Sequence, residues 1–403
     1  MHYALCIMHY ALSHRPLAIS HKPFSPPPAA NIALENSPQI IYWGGFELPD
    51  KNAAAHRVMA NAKLLRQFGY EVVFLGMSSE TFTGVRKASE TVYEESHPCT
   101  NRQWAEHLVS LRNLREVIGQ CSNLKAIILY NLPFITLLRV RLAFRSFKVI
   151  YDCTEWTPVT EGSLLKRLFK RLDGFAVRHW LPSMTDALIV ISKRMEQAYA
   201  SRSTVLRLPP LIDADDAIWR QAPHHSDTFD FVYAGVLDNS KDSLDTIVSA
   251  FHSLPFTHVR LRVIGITQDD FLNYYPHFKS SSAMADDRIL FMGRLSHEET
   301  VRHVLSCGCY IFFRPSDLRN NAGFPTKFVE AFTCGVPIIA TDISDIRNYN
   351  RSNIRIIASP DEHALIEAMT AAVKDGQHMP SIDMTFHYAN YRQSMGDWLG
   401  LFI

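Results

Sequence analysis

The residues best suited to chemistry lie in "FFRPSDLRNNAGFPTKFVEAFTCGVPIIATD", from Phe312 to Asp342, which has the pattern strand, loop, helix, glycine, strand. Pro325 is typical of a first helical turn, because the N–H that proline lacks would have no partner there. Gly335 is typical of a helix exit. A helix that opens after Gly323 and Phe324 would direct its free N–H groups and positive dipole end toward an anion such as a diphosphate.

Two charged side chains follow on that helix. Lys327 and Glu330 are three residues apart and therefore share one face. The ammonium group could meet a phosphate, while the carboxylate one turn further on accepts paired ribose hydroxyls. The simpler interpretation is a capped surface helix with an ordinary ion pair.

The elements that must position this segment form a regular alternation of strand and helix from Ile40 onward, which favours parallel sheets covered by helices on both faces. Short apolar runs predict the buried strands. They are "IIYWGG", "YEVVFLG", "KAIILYN", "FKVIYDC" and "DALIVIS" in the first half, and "FDFVYAGV", "VRLRVIG", "RILFMG", "CYIFFR", "VPIIAT" and "IRIIAS" in the second. Helical stretches include 52–68 and 163–178.

The prolines and acids of "RLPPLIDADD" interrupt both patterns, so we place the domain boundary there. A chain of 403 residues is comfortable as two domains. The predicted division is 1–37 as a disordered extension, 38–210 as an acceptor-side domain, 211–380 as a donor-side domain, and 381–403 as a helix that packs back on the first domain. The His- and Pro-rich start resembles a signal peptide poorly, because it has no basic flank before its apolar run.

Composition sets limits on function. The 41 Lys plus Arg nearly cancel the 40 Asp plus Glu, so no overall field would recruit nucleic acid. The only closely spaced cysteines are Cys307 and Cys309, which lack the further ligands of a closed zinc site. We expect buried thiols in a reducing cytoplasm.

The segment "GFPTKFVEAFTCGVPIIATD" resembles the donor-site signature of retaining glycosyltransferases of family four, which have the GT-B fold. The stretches "GGFELPDKNAAAHRVMANAKLLRQFGYEVVFLG", "YDCTEWTP" and "FVYAGVLDNSKDSLDTIVSAF" resemble other parts of the same family. The similarity covers about residues 40–403. It implies an α/β chain of two facing Rossmann-like, doubly wound parallel-sheet domains with a C-terminal crossover helix. It also implies a cytoplasmic hexosyltransferase of bacterial polysaccharide synthesis.

The resemblance implies roles for individual residues. Glu330 matches the second Glu of the family's Glu-x7-Glu motif, which holds the donor ribose. Lys241 matches the basic residue on the diphosphate, and Gly44 and Gly45 match a glycine loop that approaches the donor closely. The further donor-binding candidates lie around these positions: Gly235, Asn320, Asn321, Gly323, Phe324, Pro325, Thr326 and Lys327.

Two positions depart from the family pattern, and both concern the donor. Ala322 stands where the motif has its first Glu, and Val236 stands where an Arg is usual. We hypothesise that Asn320 and Asn321 supply replacement hydrogen bonds and that Arg314 replaces the missing cation. Arg314 therefore joins the catalytic candidates Lys241 and Glu330.

Sugar transfer builds negative charge on the leaving diphosphate, which cations and helix N–H groups stabilise. The resemblance implies that the departing phosphate takes the acceptor proton, so no metal, cofactor or dedicated base is expected. Asp152, Glu155 and Trp156, in "YDCTEW" at a strand end, are weak candidates for the acceptor side. Acids decorating a helix N-terminus would explain the two carboxylates equally well.

A basic amphipathic region spans 139–178. Leu164, Leu165, Leu168, Leu172 and Phe175 form one helical stripe, with Lys and Arg residues near it. This pattern suits anionic headgroups or a lipid-diphosphate acceptor at the inner face of the cell membrane. The more ordinary interpretation is a core-facing stripe with a solvated basic side.

Other functions remain open on the sequence alone. The pair Asp213 and Asp215 would suit a metal-dependent GT-A transferase, although it lies in the predicted linker. A nucleotide-sugar 2-epimerase has the same architecture, and a non-catalytic nucleotide-sugar binder would explain Ala322. A dinucleotide oxidoreductase is disfavoured, since no G-x-G-x-x-G follows a strand.

Overall fold

The structure is a computed structural model that describes residues 37–156, 164–221, 227–237, 242–358 and 361–402. The predicted extension 1–37 lies almost wholly outside these residues. The described chain divides into two compact units. Unit 1 holds the described residues up to Val190, Glu196–Arg207 and the C-terminal residues from Tyr391, and unit 2 holds Ile191–Met195 and Leu208–Asn390.

Unit 1 is built on an eight-stranded sheet in the order β3-β4-β2-β1-β5-β6-β7-β8, parallel except for the β3-β4 pair. Its strands are β1 (Gln39–Gly44), β2 (Glu71–Ser78), β3 (Val85–Lys87), β4 (Val92–Ser96), β5 (Leu124–Tyr130), β6 (Lys148–Cys153), β7 (Ala187–Val190) and β8 (Val205–Arg207). Its helices are α1 (Ala53–Arg66), α2 (Asn101–Val109), α3 (Arg112–Ile118), α4 (Phe134–Ala143) and α5 (Leu164–Met184). A short helix, α6 (Lys193–Tyr199), continues from unit 2 into unit 1.

Unit 2 is built on a six-stranded, wholly parallel sheet in the order β11-β10-β9-β12-β13-β14. Its strands are β9 (Phe229–Ala234), β10 (Val259–Ile264), β11 (Ile289–Gly293), β12 (Cys309–Phe312), β13 (Ile338–Thr341) and β14 (Ile354–Ile357). Its helices are α7 (Leu244–His252), α8 (Gln268–Tyr274), α9 (His297–Leu305), α10 (Leu318–Ala322), α11 (Thr326–Thr333) and α12 (Glu362–Asp375).

The C-terminal segment is shorter as a helix than its sequence predicted. A 3-10 turn at Tyr388–Tyr391 precedes α13 (Arg392–Leu399), and α13 is part of unit 1. There Arg392 lies over the Phe68 ring, 5.6 Å from its centroid. A Cβ at Gly396 would come within 2.9 Å of the same ring, so this position has no room for a side chain.

Each predicted strand is present, and both long predicted helices are present with changed ends. The sequence missed β3, β4 and β8. These are sheet-edge or near-edge strands with partly exposed residues, so they lack the continuous apolar run that marks a buried strand. Asn131 ends β5 with φ of 48°, which allows the sharp exit toward α4.

A buried charge network joins α1 to the centre of the first sheet. Asp152 at the end of β6 is wholly buried and accepts hydrogen bonds from Arg57 Nη2 at 2.7 Å and Arg57 Nε at 3.0 Å. Asn61 and the Tyr42 hydroxyl also donate to this carboxylate. Burial, and then the charge of Asp152, raise the pKa of Tyr42 well above its usual range, so the phenol stays a donor.

We expect Arg57→Met to destabilise unit 1 by about 3–5 kcal/mol, because it leaves the Asp152 carboxylate buried without its cation. Urea unfolding followed by tryptophan fluorescence measures this change, since Trp219 is the only one of the six tryptophans outside unit 1. Arg347→Met is the control, because its guanidinium is 66% exposed and pairs with Asp342 at the surface. An unfolding midpoint for Arg57→Met equal to that of the control would contradict the prediction.

Candidate functional site

The second sheet reverses its strand order between β9 and β12. From β9 the chain continues to β10 and β11 on one side, whereas β12 leads to β13 and β14 on the other. Loops that leave two such strands in opposite directions open a crevice at their carboxyl ends, which is where ligands bind in open α/β sheets. Gly235 and Arg314 both lie at this edge, following β9 and β12 respectively.

Arg314 is held in one orientation by its neighbours. Its Nε donates to Asp242 Oδ1 at 2.5 Å, and its guanidinium lies over the Phe312 ring at 4.6 Å from the centroid. The backbone N–H of Arg314 donates to Thr341 Oγ1 at 2.7 Å. A cation fixed in this way loses little conformational entropy when it binds a planar anionic group.

Asp242 also shapes the end of β9. Its Oδ2 accepts a hydrogen bond of 2.8 Å from Tyr233, whose pKa is raised well above its usual range by burial and by the Asp242 charge. A Cβ at Gly235 would lie 2.4 Å from the Tyr233 hydroxyl oxygen. A Cβ at Gly265 would lie 2.0 Å from the Gly235 carbonyl oxygen. Close packing of the strand ends is therefore sufficient reason for both glycines.

The charged pair of the donor signature lies at the start of α11. Lys327 Nζ is 2.8 Å from Glu330 Oε2, and His297 Nε2 is 3.9 Å from Glu330 Oε1. Burial raises the pKa of the Tyr310 hydroxyl well above its usual range, the charges of Glu330 and then Asp242 raise it further, and the charge of Arg314 lowers it. The Tyr310 hydroxyl itself donates to the Ala234 carbonyl at the end of β9, at 3.3 Å.

The helix start differs slightly from its prediction. α11 begins at Thr326, and Pro325 precedes it in an extended conformation with ψ of 117°. Phe324 does not face a crevice; its ring packs among Phe328, Tyr349 and Phe386 in an aromatic cluster. Gly335 closes the helix with φ of 68°, as expected, and a Cβ there would meet the Ser381 carbonyl oxygen at 2.0 Å.

The loop before α11 is fixed by its own hydrogen bonds. Asn320 donates from Nδ2 to the Pro315 carbonyl at 3.0 Å, and Asn321 donates to Ser316 Oγ while its Oδ1 accepts from Ser344 N–H. Ser344, in the left-handed region with φ of 53°, also donates to the Gly323 carbonyl. The hypothesis that both asparagine amides are available to replace the missing carboxylate does not agree with these contacts.

Ala322 is completely buried, and its carbonyl accepts a hydrogen bond of 2.6 Å from Ser192 Oγ. A longer side chain at this position would have to displace the atoms that enclose it. The buried position therefore fits the small side chain of Ala322. Lys241 lies outside the described residues, so its predicted role stays a prediction.

In unit 1 the predicted glycines have different surroundings. A Cβ at Gly44 would lie 2.7 Å from both the Cβ and the carbonyl oxygen of Tyr130, so the pairing of β1 with β5 requires this glycine. At Gly45 the structure places no atom within 4 Å of the position that a Cβ would take. Only Gly45 thus presents open backbone at the strand end, where close approach by a ligand needs it.

The expectation that Asp152 faces an acceptor is wrong in this structure. Its carboxylate is wholly buried and engaged by Arg57, Asn61 and Tyr42. The prediction rested on the position of Asp152 at a strand end, where catalytic acids are also found. Burial, which the sequence pattern does not encode, decides that this acid stabilises the sheet.

Glu155 and Trp156 have a different position, because both line a cleft within unit 1. The Trp156 indole N–H donates to the Tyr199 hydroxyl at 3.1 Å. The cleft lies beyond the ends of β5 and β6 and along one side of α5. It is lined by Asn131, Pro133, Tyr151, Glu155, Trp156, Phe169, Lys170, Asp173, Gly174, Val177 and Arg178.

Sequence reasoning missed three residues of the donor-side site. Asp242, His297 and Tyr310 become neighbours of the predicted residues only through the sheet. His297 had one available signal, since "SHEE" after a strand glycine is a capping box in which Ser296 and Glu299 bond reciprocally. Asp242 follows the predicted Lys241 directly, but nothing in the sequence links it to Arg314, 72 residues away.

The Asp-x-Asp pair has a third neighbour. Among the described residues, one oxygen each from Asp213 and Asp215 and one nitrogen of His387 lie within 4.8 Å of one another. Internal contacts account for their positions: His387 Nδ1 accepts from the Ala214 N–H at 3.1 Å, and Asp213 Oδ1 accepts from the Asp215 N–H at 3.2 Å. All of them belong to unit 2.

Comparison with known proteins places this site in context. Residues 215–385 match the family model described as glycosyl transferases group 1. This range contains Gly235, Arg314 and the whole donor signature. No curated protein sequence matches the chain.

Solved structures with a similar fold cover nearly the whole chain. Sucrose-phosphate synthase from Thermosynechococcus elongatus is 14% identical, with a TM-score of 0.67 over 90% of this chain and 98% of its own. HepE from Anabaena, solved with UDP and glucose, is 11% identical, with a TM-score of 0.62 over 90% and 99%. The lipopolysaccharide outer core galactosyltransferase WaaB is 14% identical, with a TM-score of 0.60 over 91% and 100%.

These comparisons confirm the expected fold class, an α/β chain with two parallel-sheet domains of the GT-B type. The match to the glycosyltransferase model also confirms the expectation of a glycosyltransferase enzyme. The epimerase alternative is not favoured, because the family-model match is to a glycosyltransferase group.

The described cysteines give a direct test of the predicted thiol environments. Burial raises the pKa of Cys153 and of Cys309 to about 12, and holds that of Cys307 well above its usual range. At pH 8 almost none of these thiols is the reactive thiolate. We expect iodoacetamide to alkylate the exposed Cys99 in the native protein and to leave these three unmodified until urea is added.

Mass spectrometry of the labelled peptides measures the extent of alkylation at each position. Cys99 is the internal control for reagent activity, and the urea-treated sample is the control for detection of each peptide. Rapid native labelling of Cys307 or Cys309 would contradict the buried environment that the structure gives them.

Proposed function

We propose that this chain transfers a hexose-type sugar from a nucleoside-diphosphate donor to a glycan or lipid-linked acceptor, with retention of configuration and without a metal ion. The observation that carries the proposal is the position of Arg314, which follows β12 at the strand reversal of the second sheet and is held there by Asp242, in the same unit as α11 with Lys327 and Glu330. A fixed cation, free helix N–H groups and a carboxylate are what a diphosphate linked to a ribose requires.

The geometry supports a separate role for each group. Arg314, held by Asp242, is placed to neutralise charge on the diphosphate as the bond to the sugar breaks. The free N–H groups at the start of α11 add to this stabilisation. Glu330 is partly buried beside Lys327, and as the ribose hydroxyls arrive they would take over carboxylate lone pairs from the ammonium group.

The chemical step follows from the same groups. The bond between the sugar C1 and the diphosphate oxygen breaks, and the acceptor hydroxyl oxygen forms a new bond to C1 on the same face. The acceptor proton passes to the departing diphosphate, so atoms and charge balance without a protein base. Stabilisation of the developing diphosphate charge is the contribution of the protein.

Two structural neighbours support the choice of donor and acceptor class. HepE is described with UDP, with UDP-glucose and with UDP and glucose, and WaaB is described as a lipopolysaccharide outer core galactosyltransferase. We propose a nucleotide sugar as donor here by analogy, and a role in cell-surface polysaccharide synthesis at the cytoplasmic face of the membrane. The absent carboxylate at Ala322 favours a sugar contact that differs from the family's usual one.

Thermal-shift measurements identify the donor. We expect one of UDP, GDP and ADP at about 100 times its dissociation constant to stabilise unit 2 by about 2.7 kcal/mol, and the other two to have less effect. The corresponding nucleosides serve as controls, because they lack the diphosphate that Arg314 and α11 bind. If no nucleoside diphosphate raises the melting temperature more than its nucleoside, the proposed site is not a donor site.

A second test separates transfer from binding and from epimerisation. The donor is incubated alone, then with an acceptor panel, in the presence and absence of EDTA. The proposal expects sugar transfer only with an acceptor and equal rates with EDTA. Conversion of donor alone would identify an epimerase, and loss of activity with EDTA would direct attention to Asp213, Asp215 and His387.

We expect Arg314→Ala to weaken binding of the identified nucleoside diphosphate about ten- to a hundredfold, because it removes a charge-assisted contact to phosphate. Asp242→Asn should weaken binding less, since the cation remains but loses its orienting partner. Isothermal titration calorimetry measures both. The control is Arg260→Ala, an exposed residue of β10 in the same unit. Equal affinity in Arg314→Ala and Arg260→Ala would remove Arg314 from the site.

A further inference from the structure

The stripe of apolar side chains on α5 faces solvent, and this corrects the ordinary interpretation of a core-facing helix. Leu164, Leu168, Leu172 and Phe175 are between 47% and 83% exposed. Their spacing of four, four and three residues places them on one face of the helix. The side chain of Leu165, which the sequence assigned to the same stripe, lies outside the described part of the chain.

The opposite side of α5 packs against the rest of unit 1. Ala176, Val177 and Leu181 are buried there, and Phe169 and Lys170 line the cleft. Asp173 accepts a hydrogen bond of 2.7 Å from the Phe134 N–H and so joins α5 to the start of α4. The helix therefore already has its core contacts, and the exposed stripe is a second apolar face.

Neighbouring residues extend this apolar surface. Leu142 at the end of α4 is 58% exposed. Trp180, half exposed, packs edge-on against Phe175 with 5.7 Å between centroids and lies 6.0 Å from Phe134. Six of the twelve large apolar side chains that are exposed in the described residues belong to α4 and α5. Isolated exposed leucines are ordinary, but a concentration of this kind marks an interaction surface.

In the described residues of α4 and α5, the exposed charged side chains are all basic. Arg167 and Arg171 are exposed along one border of it, and Arg139, Arg145 and Lys148 are exposed on and after α4. The acids between residues 134 and 184 are Asp152, Glu155, Glu161 and Asp173, of which Glu161 lies outside the described residues. Asp152 is buried, and Glu155 and Asp173 are only partly exposed and line the cleft. Asp186, just after α5, pairs with Arg141 at 2.8 Å and with Lys148 at 3.9 Å. The described part of this surface is therefore basic, although the whole chain has a formal net charge of only +1.

We propose that this α4–α5 surface binds an anionic lipid bilayer, with the leucine stripe and Phe175 inserted among the headgroups and the arginines on lipid phosphates. Charge complementarity selects this occupant. If a second copy of the chain docked through the same surface, the exposed arginines of both copies would face one another, whereas an anionic bilayer supplies both apolar depth and negative charge.

The position of the surface gives it a functional consequence. α5 contributes both the exposed stripe and one wall of the cleft that Glu155 and Trp156 line. Docking of this helix brings that cleft to the bilayer. In the part of the chain that the structure describes, none of the helices has the length and apolar composition of a membrane span.

Vesicle flotation of the full chain tests the proposal. The probes are vesicles of phosphatidylcholine alone and vesicles in which about a third of the lipid is anionic phosphatidylglycerol. We expect the protein to float with the anionic vesicles only, and the bound fraction to fall as salt is raised from about 0.1 M to about 0.5 M. Absence of binding to anionic vesicles at the lower salt concentration overturns the proposal.

Matched variants locate the binding surface. Leu168→Gln combined with Leu172→Gln should lower the partition coefficient on anionic vesicles about tenfold or more, because two insertions are lost. Arg167→Gln combined with Arg171→Gln should lower it and flatten the salt dependence. The control pair, Met379→Gln with Met384→Gln, changes two exposed apolar residues of unit 2 and should bind like the wild type.

Two further results would reject the bilayer as the occupant. If the leucine pair and the methionine pair bind vesicles equally, the stripe is not the contact. If size-exclusion chromatography with light scattering shows a dimer that only the leucine pair dissociates, a second copy covers the surface. Circular dichroism and nucleotide-induced thermal shifts confirm that each variant is folded, and they separate failure of this proposal from failure of the proposed donor site.

Discussion

Parallel pairing of strands is the constraint on which the rest of the structure depends. Each sheet has one strand pair at which the connections leave in opposite directions, β1 with β5 in unit 1 and β9 with β12 in unit 2. At these pairs the loops separate, so backbone is left open at the carboxyl edge. Gly44 and Gly45 lie at the first reversal, and Gly235 and Arg314 lie at the second.

The charged residues at these edges divide into two kinds according to what surrounds them. The Asp152 carboxylate accepts hydrogen bonds from Arg57, Asn61 and Tyr42, and these contacts hold α1 against the sheet. Among the described residues, the Arg314 guanidinium has one carboxylate partner, Asp242, and its side chain is 17% exposed. A guanidinium with five donors retains capacity for phosphate after one such contact. The same ion-pair chemistry thus stabilises one sheet and, under the proposed function, orients a phosphate-binding cation on the other.

Membrane attachment and donor binding would be carried by different units. The apolar and basic surface belongs to α4 and α5 of unit 1, while the donor signature belongs to unit 2. A lipid-linked acceptor and a water-soluble nucleotide sugar differ in where they are found. Under the two proposals, the nucleotide sugar binds unit 2 and the lipid-linked acceptor binds unit 1. The cleft beside α5 belongs to unit 1, which would also contact the bilayer.

The sequence by itself determined the two parallel sheets and the order strand, loop, helix, glycine, strand in 312–342, because buried strands, helix starts and glycine exits are local patterns. Only the tertiary structure decided that Asp152 is buried, that the asparagine amides are engaged, and that Asp242 orients Arg314. Only the tertiary structure also decided that the leucine stripe of α5 is exposed to solvent. Spacing specifies which residues share a face, whereas the face that meets the core depends on partners distant in the chain, such as Asp173 with Phe134.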